Sequence, residues 1–419
     1  MEADASGAFD IQGLANLAWS WSTWRCANVP LLDAIAAAAM PKSSALGTQN
    51  IANLAWACER LTFSHMPLLE ALASASRNNI NQASPQDLCN TLWAFARRAV
   101  CNEPLRNSIA AAAMAKIGLV NGMGLANISW SVAFLPYLNR PLLNSISASA
   151  RAKLGDLNAQ DISNISWAFA HLWMRAGPLM EAIASSSLTS MPQFCTQGLA
   201  NTAWAMSRLE CDNMPLLASI AKAAIRKIGE PGDLDPQNLA NLAWAYAKLV
   251  VVNAPLLTSL SAASRRPITE FKPLELPITF WAFATLALED NPLRDAISSA
   301  SIRLCFDLQM LDLSNTAWAL ALSGKHDAPL LEAIAAQALR LLSMAAPQSN
   351  LGNPLSLLWA NWRLTQQRLE HSLFKQFADL GILVELVSCG VVMMSNEWRR
   401  LNPVEVHLEE AMQAVCFWS

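Results

Sequence analysis

The sequence predicts an all-α protein, an α-solenoid of about ten 37-residue helix–turn–helix repeats, and three observations predict it. Tryptophan recurs at 19, 56, 93, 130, 167, 204, 244, 281, 318 and 359, at intervals of 37 five times and then 40, 37, 37 and 41. A Pro-Leu pair begins eleven residues after each of the first nine, at 30, 67, 104, 141, 178, 215, 255, 292 and 329. Between these markers apolar residues fall at helical spacing, as in Leu31, Ile35 and Ala38, and no alternating strand pattern interrupts them. A fixed period of this length marks an array whose units pack on their neighbours. A chain of 419 residues therefore need not divide into several globular domains.

Each repeat reads as two helices. Helix A carries the tryptophan, in segments such as 14–21 and 240–249. Nine residues before the tryptophan stands a capping residue in six copies: Asp10, Ser84, Asn121, Asn158, Asp235 and Asn350. Pro85, Pro236 and Pro273 follow at the first helical position, where a missing N–H costs nothing. Helix B begins at the repeat proline, and Asn or Asp stands two residues earlier in seven copies, Asn28, Asn213 and Asp327 among them. The two longer intervals hold extra loop residues, Glu230-Pro231-Gly232 and the stretch from Pro347 to Pro354. The array is expected to span 10–365 as nine full repeats and one degenerate repeat, with 366–419 a C-terminal cap or degenerate extra domain.

Composition narrows the function. A hydrophobic fraction of 53% with only 15% charged residues excludes a disordered chain. The net charge of −3 and pI near 6.0 supply no global basic field, so any polyanion must meet a local stripe. Nine cysteines are scattered without a CxxC, which argues against a disulfide framework or zinc site and for a reducing compartment. No apolar run reaches membrane-spanning length; Leu380 to Met394 is short and contains Glu385. The opening Met-Glu-Ala-Asp resembles no signal or transit peptide. The first repeat, with Ile11, Leu14, Leu17, Trp19 and Trp21, is as apolar as an internal one, so a longer natural chain or a covering partner is expected there. The five histidines occupy unrelated repeat positions, and no Gly-rich phosphate loop or Ser/His/Asp arrangement is present. An enzyme is not expected, nor a metal or cofactor.

Helix A carries the informative surface. At about 100° per residue, leucine-rich positions fall opposite the tryptophan, and small residues flank it. One arc stays polar. It holds Asn three residues before the tryptophan in eight copies: Asn16, Asn53, Asn90, Asn127, Asn164, Asn201, Asn241 and Asn315. Four residues after the tryptophan it offers Arg60, Arg97, His171, Arg208, Lys248 and Arg363. Stacked repeats would align these into rows. The Asn row suits either an inter-repeat hydrogen-bond ladder or amide recognition of base edges. Arg60, Arg97, Arg208 and Lys248 suit phosphate contact or a solvated helix end. A second basic row, including Arg77, Lys116, Arg151, Lys153, Arg226, Lys227, Arg265, Arg266, Arg303 and Arg340, closes the helix-B ends, where the dipole accounts for it. The tryptophans, flanked by small apolar residues, are expected to be core rather than a base-stacking row.

The Asn-Leu-Ala-Trp-Ala helix, the Pro-Leu-Leu helix and the 37-residue period together resemble the heptatricopeptide and octotricopeptide repeat proteins, relatives of the FAST-kinase-like organellar RNA factors. The resemblance covers about 10–365. It implies an α-solenoid that binds single-stranded RNA in a mitochondrion or plastid, acting in RNA processing, stability, translation or ribosome assembly. Residues 366–419 match the length of the RAP domain that often follows, but Glu397-Trp398 is too slight an echo to assign it. About one base per repeat would give a footprint of roughly nine or ten nucleotides. The other reading is a protein–protein scaffold or a structural component of an organellar ribosome, since a solenoid offers the same surface to peptides.

Overall fold

The computed structural model describes residues 10–97, 103–135, 138–230, 235–324 and 327–344. Trp359, Asn350, Arg363 and the expected segment 366–419 lie outside them. Among the described residues every regular element is helical, and they alternate between A and B helices as the period requires. The fold is an all-α solenoid. The chain divides into two compact units, 1–194 and 195–419.

Unit 1 contains α1 (Ile11–Thr23), α2 (Val29–Ala39), α3 (Thr48–Arg60), α4 (Met66–Asn78), α5 (Pro85–Arg97), α6 (Glu103–Lys116), α7 (Gly122–Phe134), α8 (Arg140–Ala152), α9 (Ala159–His171) and α10 (Gly177–Ser190). Unit 2 contains α11 (Thr196–Arg208), α12 (Met214–Ile228), α13 (Pro236–Lys248), α14 (Ala254–Arg265), α15 (Glu275–Thr285), α16 (Asn291–Arg303), α17 (Met310–Ser323) and α18 (Ala328–Met344). Odd-numbered helices are the A helices. Within each unit they pack closely on one another, more closely than successive B helices do. Small residues on both flanks, such as Ala52, Ala55 and Ala57 in α3, allow that approach, while Ile51 and Leu54 of α3 and Leu68, Leu69 and Leu72 of α4 are fully buried.

The expected caps form. The side chains of Asp10, Ser84, Asn121, Asn158 and Asp235 each accept a backbone N–H in the first turn of their A helix. Asn28, Asn139, Asn213, Asn253, Asp290 and Asp327 do the same for B helices. His65 Nδ1 and Cys195 Sγ take the equivalent role at α4 and α11, which residue type alone does not signal.

The basic row at the helix-B ends has a job beyond the dipole. Lys116 Nζ donates to the carbonyls of Asn81 and Ala83, and Lys153 Nζ to those of Gly118 and Val120. Both lysines thus tie their repeat to the 3-10 turn that ends the preceding one. Arg340 and Gln337 make a similar tie to Phe306 O.

Every described A helix that can be followed past its end closes in the left-handed region, six residues after the tryptophan. Arg25, Thr62, Trp173, Glu210, Val250 and Ala287 have φ of 51–55°, and only Gly324 is a glycine there. The following N–H reaches back five residues, as Phe63 N does to Cys58 O and Val251 N to Tyr246 O, a Schellman closure. A β-branched residue is the worst fit for this backbone. Val250 is 72% exposed, so its side chain gains little packing. Val250→Gly should therefore raise stability by about 1 kcal/mol, read as a higher denaturation midpoint. A fall in the midpoint would show that the valine is held by contacts instead.

Candidate nucleic-acid interface

The polar arc exists, and in unit 1 it is open. Asn16 is exposed and Asn53, Asn90, Asn127 and Asn164 are half-exposed along α1, α3, α5, α7 and α9. Asn90 accepts a hydrogen bond from Gln86 Nε2 one turn earlier at 2.9 Å, which sets its amide orientation. Arg60 and Arg97 are exposed on the same face. In unit 2, Asn201 and Lys248 remain half-exposed.

Three residues expected on this surface are not on it. Arg208 is 1% exposed, Asn241 2% and Asn315 0%. The amide of Asn315 has neither oxygen nor nitrogen paired, a burial that costs stability rather than serving an open surface. In α13 Gln237 and Asn238 of the same arc are buried as well, and in α11 Arg208 lies over the buried ring of Trp204.

The tryptophans also differ in exposure from repeat to repeat. Trp167, Trp204, Trp244, Trp281 and Trp318 are buried, as expected of core. Trp56, Trp93 and Trp130 are only half-buried and Trp19 is exposed, so in unit 1 the row belongs partly to the surface. Successive rings lie side by side, with Trp19 and Trp56 at 6.4 Å and Trp130 and Trp167 at 6.5 Å between centroids. This spacing is within the range of favourable aromatic pairs.

The side chain four residues beyond the tryptophan does not simply project into solvent. One turn along the helix it folds over the indole, as i,i+4 neighbours do. Phe134 stacks on Trp130 and His171 on Trp167, both at 4.8 Å. Arg60 lies over Trp56 at 5.5 Å and Arg208 over Trp204 at 5.2 Å. Arg97 instead reaches the next A helix, over Trp130 at 5.9 Å, while its Nε donates to Glu59 Oε1 of the preceding A helix at 2.9 Å. The four-residue spacing from tryptophan to cation is visible in the sequence, and the structure shows the cation folded over a ring at Arg60, Arg97 and Arg208.

Three carboxyls at the A-helix starts are displaced upward by burial. Asp161 is raised, Asp312 is pushed up to about 6 and Glu275 to about 7, in each case because desolvation outweighs the backbone N–H it accepts from three residues earlier. Those acceptances, from Asn158 N, Gln309 N and Lys272 N, are helix-start bonds. They explain the acids without any reaction. Among the described residues no three His, Cys, Asp or Glu side chains gather as a metal would need. No described helix is long and apolar enough to cross a membrane.

The model of the family described as "RNA-editing substrate-binding complex 6 protein" matches residues 3–254, well over half of the chain. The chain belongs to that family. The family match takes in α1 to α13, and with them the whole open face of unit 1; Asn315 lies beyond it. Among curated proteins no sequence matches the chain.

Proposed function

We propose that this protein is a non-catalytic, RNA-binding component of a mitochondrial RNA-editing complex, and that it holds single-stranded RNA on the A-helix face of unit 1. The observation that carries this reading is the run of half-exposed amides, Asn53, Asn90, Asn127 and Asn164, on four consecutive A helices beside exposed arginines. An amide offers donor and acceptor together, which suits the edges of unpaired bases. The family's name supplies the RNA-editing context, and the heptatricopeptide-like motif supports an organellar setting. In unit 2, Asn201 and Lys248 offer the same amide and cation chemistry on that unit's own A helices. Arg208, Asn241 and Asn315 act in packing, since a buried side chain reaches no ligand.

Changing Asn53, Asn90, Asn127 and Asn164 together to Ala should weaken binding of a single-stranded RNA oligonucleotide at least tenfold and leave helicity intact, as followed by anisotropy and circular dichroism. Wild-type affinity should fall with salt, with a log–log slope of roughly −0.7 for each phosphate neutralised. Binding that ignores both salt and the four substitutions would sink the proposal. A protein-scaffold role would then take its place, favoured by the exposed apolar side chains of Trp24, Met66, Leu138 and Trp173 around the A-to-B turns of unit 1.

A further inference from the structure

By sequence Arg60 and Arg97 suit either phosphate contact or a solvated helix end. The surroundings of Arg97 fit phosphate contact poorly. Arg97 is already paired, its Nε 2.9 Å from Glu59 Oε1, and the protein as a whole carries a net charge of −3. A neutralised guanidinium releases few counterions on meeting a phosphate. It keeps its planar face, however, and arginine planes are a common seat for unpaired bases.

The geometry prepares such a seat. Arg60 is held over the Trp56 ring of its own helix. Arg97 is held from both sides, by Glu59 in α3 and by the Trp130 ring in α7, so that one side chain bridges three consecutive A helices. Ordering a long side chain before the ligand arrives removes part of the entropy cost of binding. Arg208 over Trp204 makes the same pair in unit 2 with 1% exposure, which shows the pair closed. In unit 1 the arginines remain exposed, with the half-exposed amides of Asn53 and Asn90 seven residues before them on the same helix faces.

We propose that Arg60 and Arg97, supported by Trp56 and Trp130, are stacking seats for two unpaired bases, and that their contribution to RNA binding comes from the guanidinium plane rather than from charge. This rests on the RNA-binding reading above and specifies which part of the nucleotide the site takes. Stacking tolerates any base, so these seats add affinity, while the neighbouring amides discriminate.

The test uses the full chain with two probes, a twelve-nucleotide oligouridylate and an abasic oligomer with the same number of phosphates. Wild type should bind the oligouridylate at least tenfold more tightly than the abasic oligomer. Arg60→Lys with Arg97→Lys keeps the charge and removes both planes. It should lose most of that preference, leaving affinity for the abasic oligomer and the salt slope unchanged. Arg60→Lys alone, at an exposed position, should show about half the loss on a logarithmic scale and serves if the double variant loses helicity. A lysine variant that binds both probes as wild type does would overturn the inference. So would equal wild-type affinity for the two probes, which would leave RNA binding itself standing. Wild type that binds neither probe would remove the RNA-binding reading and this inference with it.

Discussion

Trp204→Ala should cost about 3–5 kcal/mol of stability, the range for removing a fully buried large aromatic. Trp204 is 0% exposed in α11, its ring centroid 6.5 Å from that of Trp244 in α13, and Arg208 is buried over its face. The substitution opens a cavity between two A helices. It also removes the ring on which a buried guanidinium rests, so the loss should lie toward the upper end. The matched comparison is Trp56→Ala in unit 1, where the same repeat position is half-buried and the covering Arg60 is in solvent. That variant should lose no more than about half as much, because less surface leaves water at this site on folding. Chemical denaturation of both variants decides it. Equal losses would mean that the two tryptophans are equivalent and that the split in exposure carries no energetic weight.

Glu275→Gln should stabilise the protein at pH 8 and change little near pH 4.5. Burial pushes the Glu275 carboxyl up from 4.5 to about 7, with the negative charge of Asp235 adding to the rise and the backbone N–H and positive charge of Lys272 opposing it. A folded value above the unfolded one means that the native state holds the proton more tightly. Stability is therefore greatest below about pH 4.5, falls as pH rises toward 7, and stays low above it. The full effect is on the order of 3 kcal/mol. Glutamine keeps an oxygen to accept from Lys272 N and cannot ionise. Asp312, at about 6, shifts the wild-type curve in the same direction, so the difference between variant and wild type isolates Glu275. Denaturation midpoints at pH 4.5 and 8 are the measurement. A difference that is the same at both pH values would rule out ionisation as its cause.

The period, the two helices per repeat and most of their caps were legible in the sequence, because each is a local matter. Tryptophan and Pro-Leu spacing mark the repeat, and Asn or Asp before a helix has little else to do there. Exposure was not legible. The segment Ala-Asn-Leu-Ala-Trp stands at 15–19, 52–56 and 240–244 in identical form, yet its tryptophan is exposed, half-buried and buried in turn. A helical wheel fixes the direction of a side chain and says nothing of what covers it. The left-handed residue after the A helices that can be followed past their ends was equally hidden, since glycine, its usual mark, occurs there only at Gly324. The lysine ties join groups 33 to 35 residues apart, beyond the reach of any local pattern.

Those ties bear on where the chain can be cut. The repeat drawn from tryptophan to tryptophan is a bookkeeping unit, whereas Lys153 closes the backbone of the turn at Gly118 and Val120 from the far end of α8. A fragment ending after α7 keeps three complete A–B pairs with a fourth A helix, but it leaves those carbonyls without their cation. A fragment carried through Lys153 keeps them paired. Shortened forms intended for crystallisation or for mapping a minimal RNA-binding piece should therefore end just beyond that lysine, and a terminus placed by counting repeats from the sequence would fray.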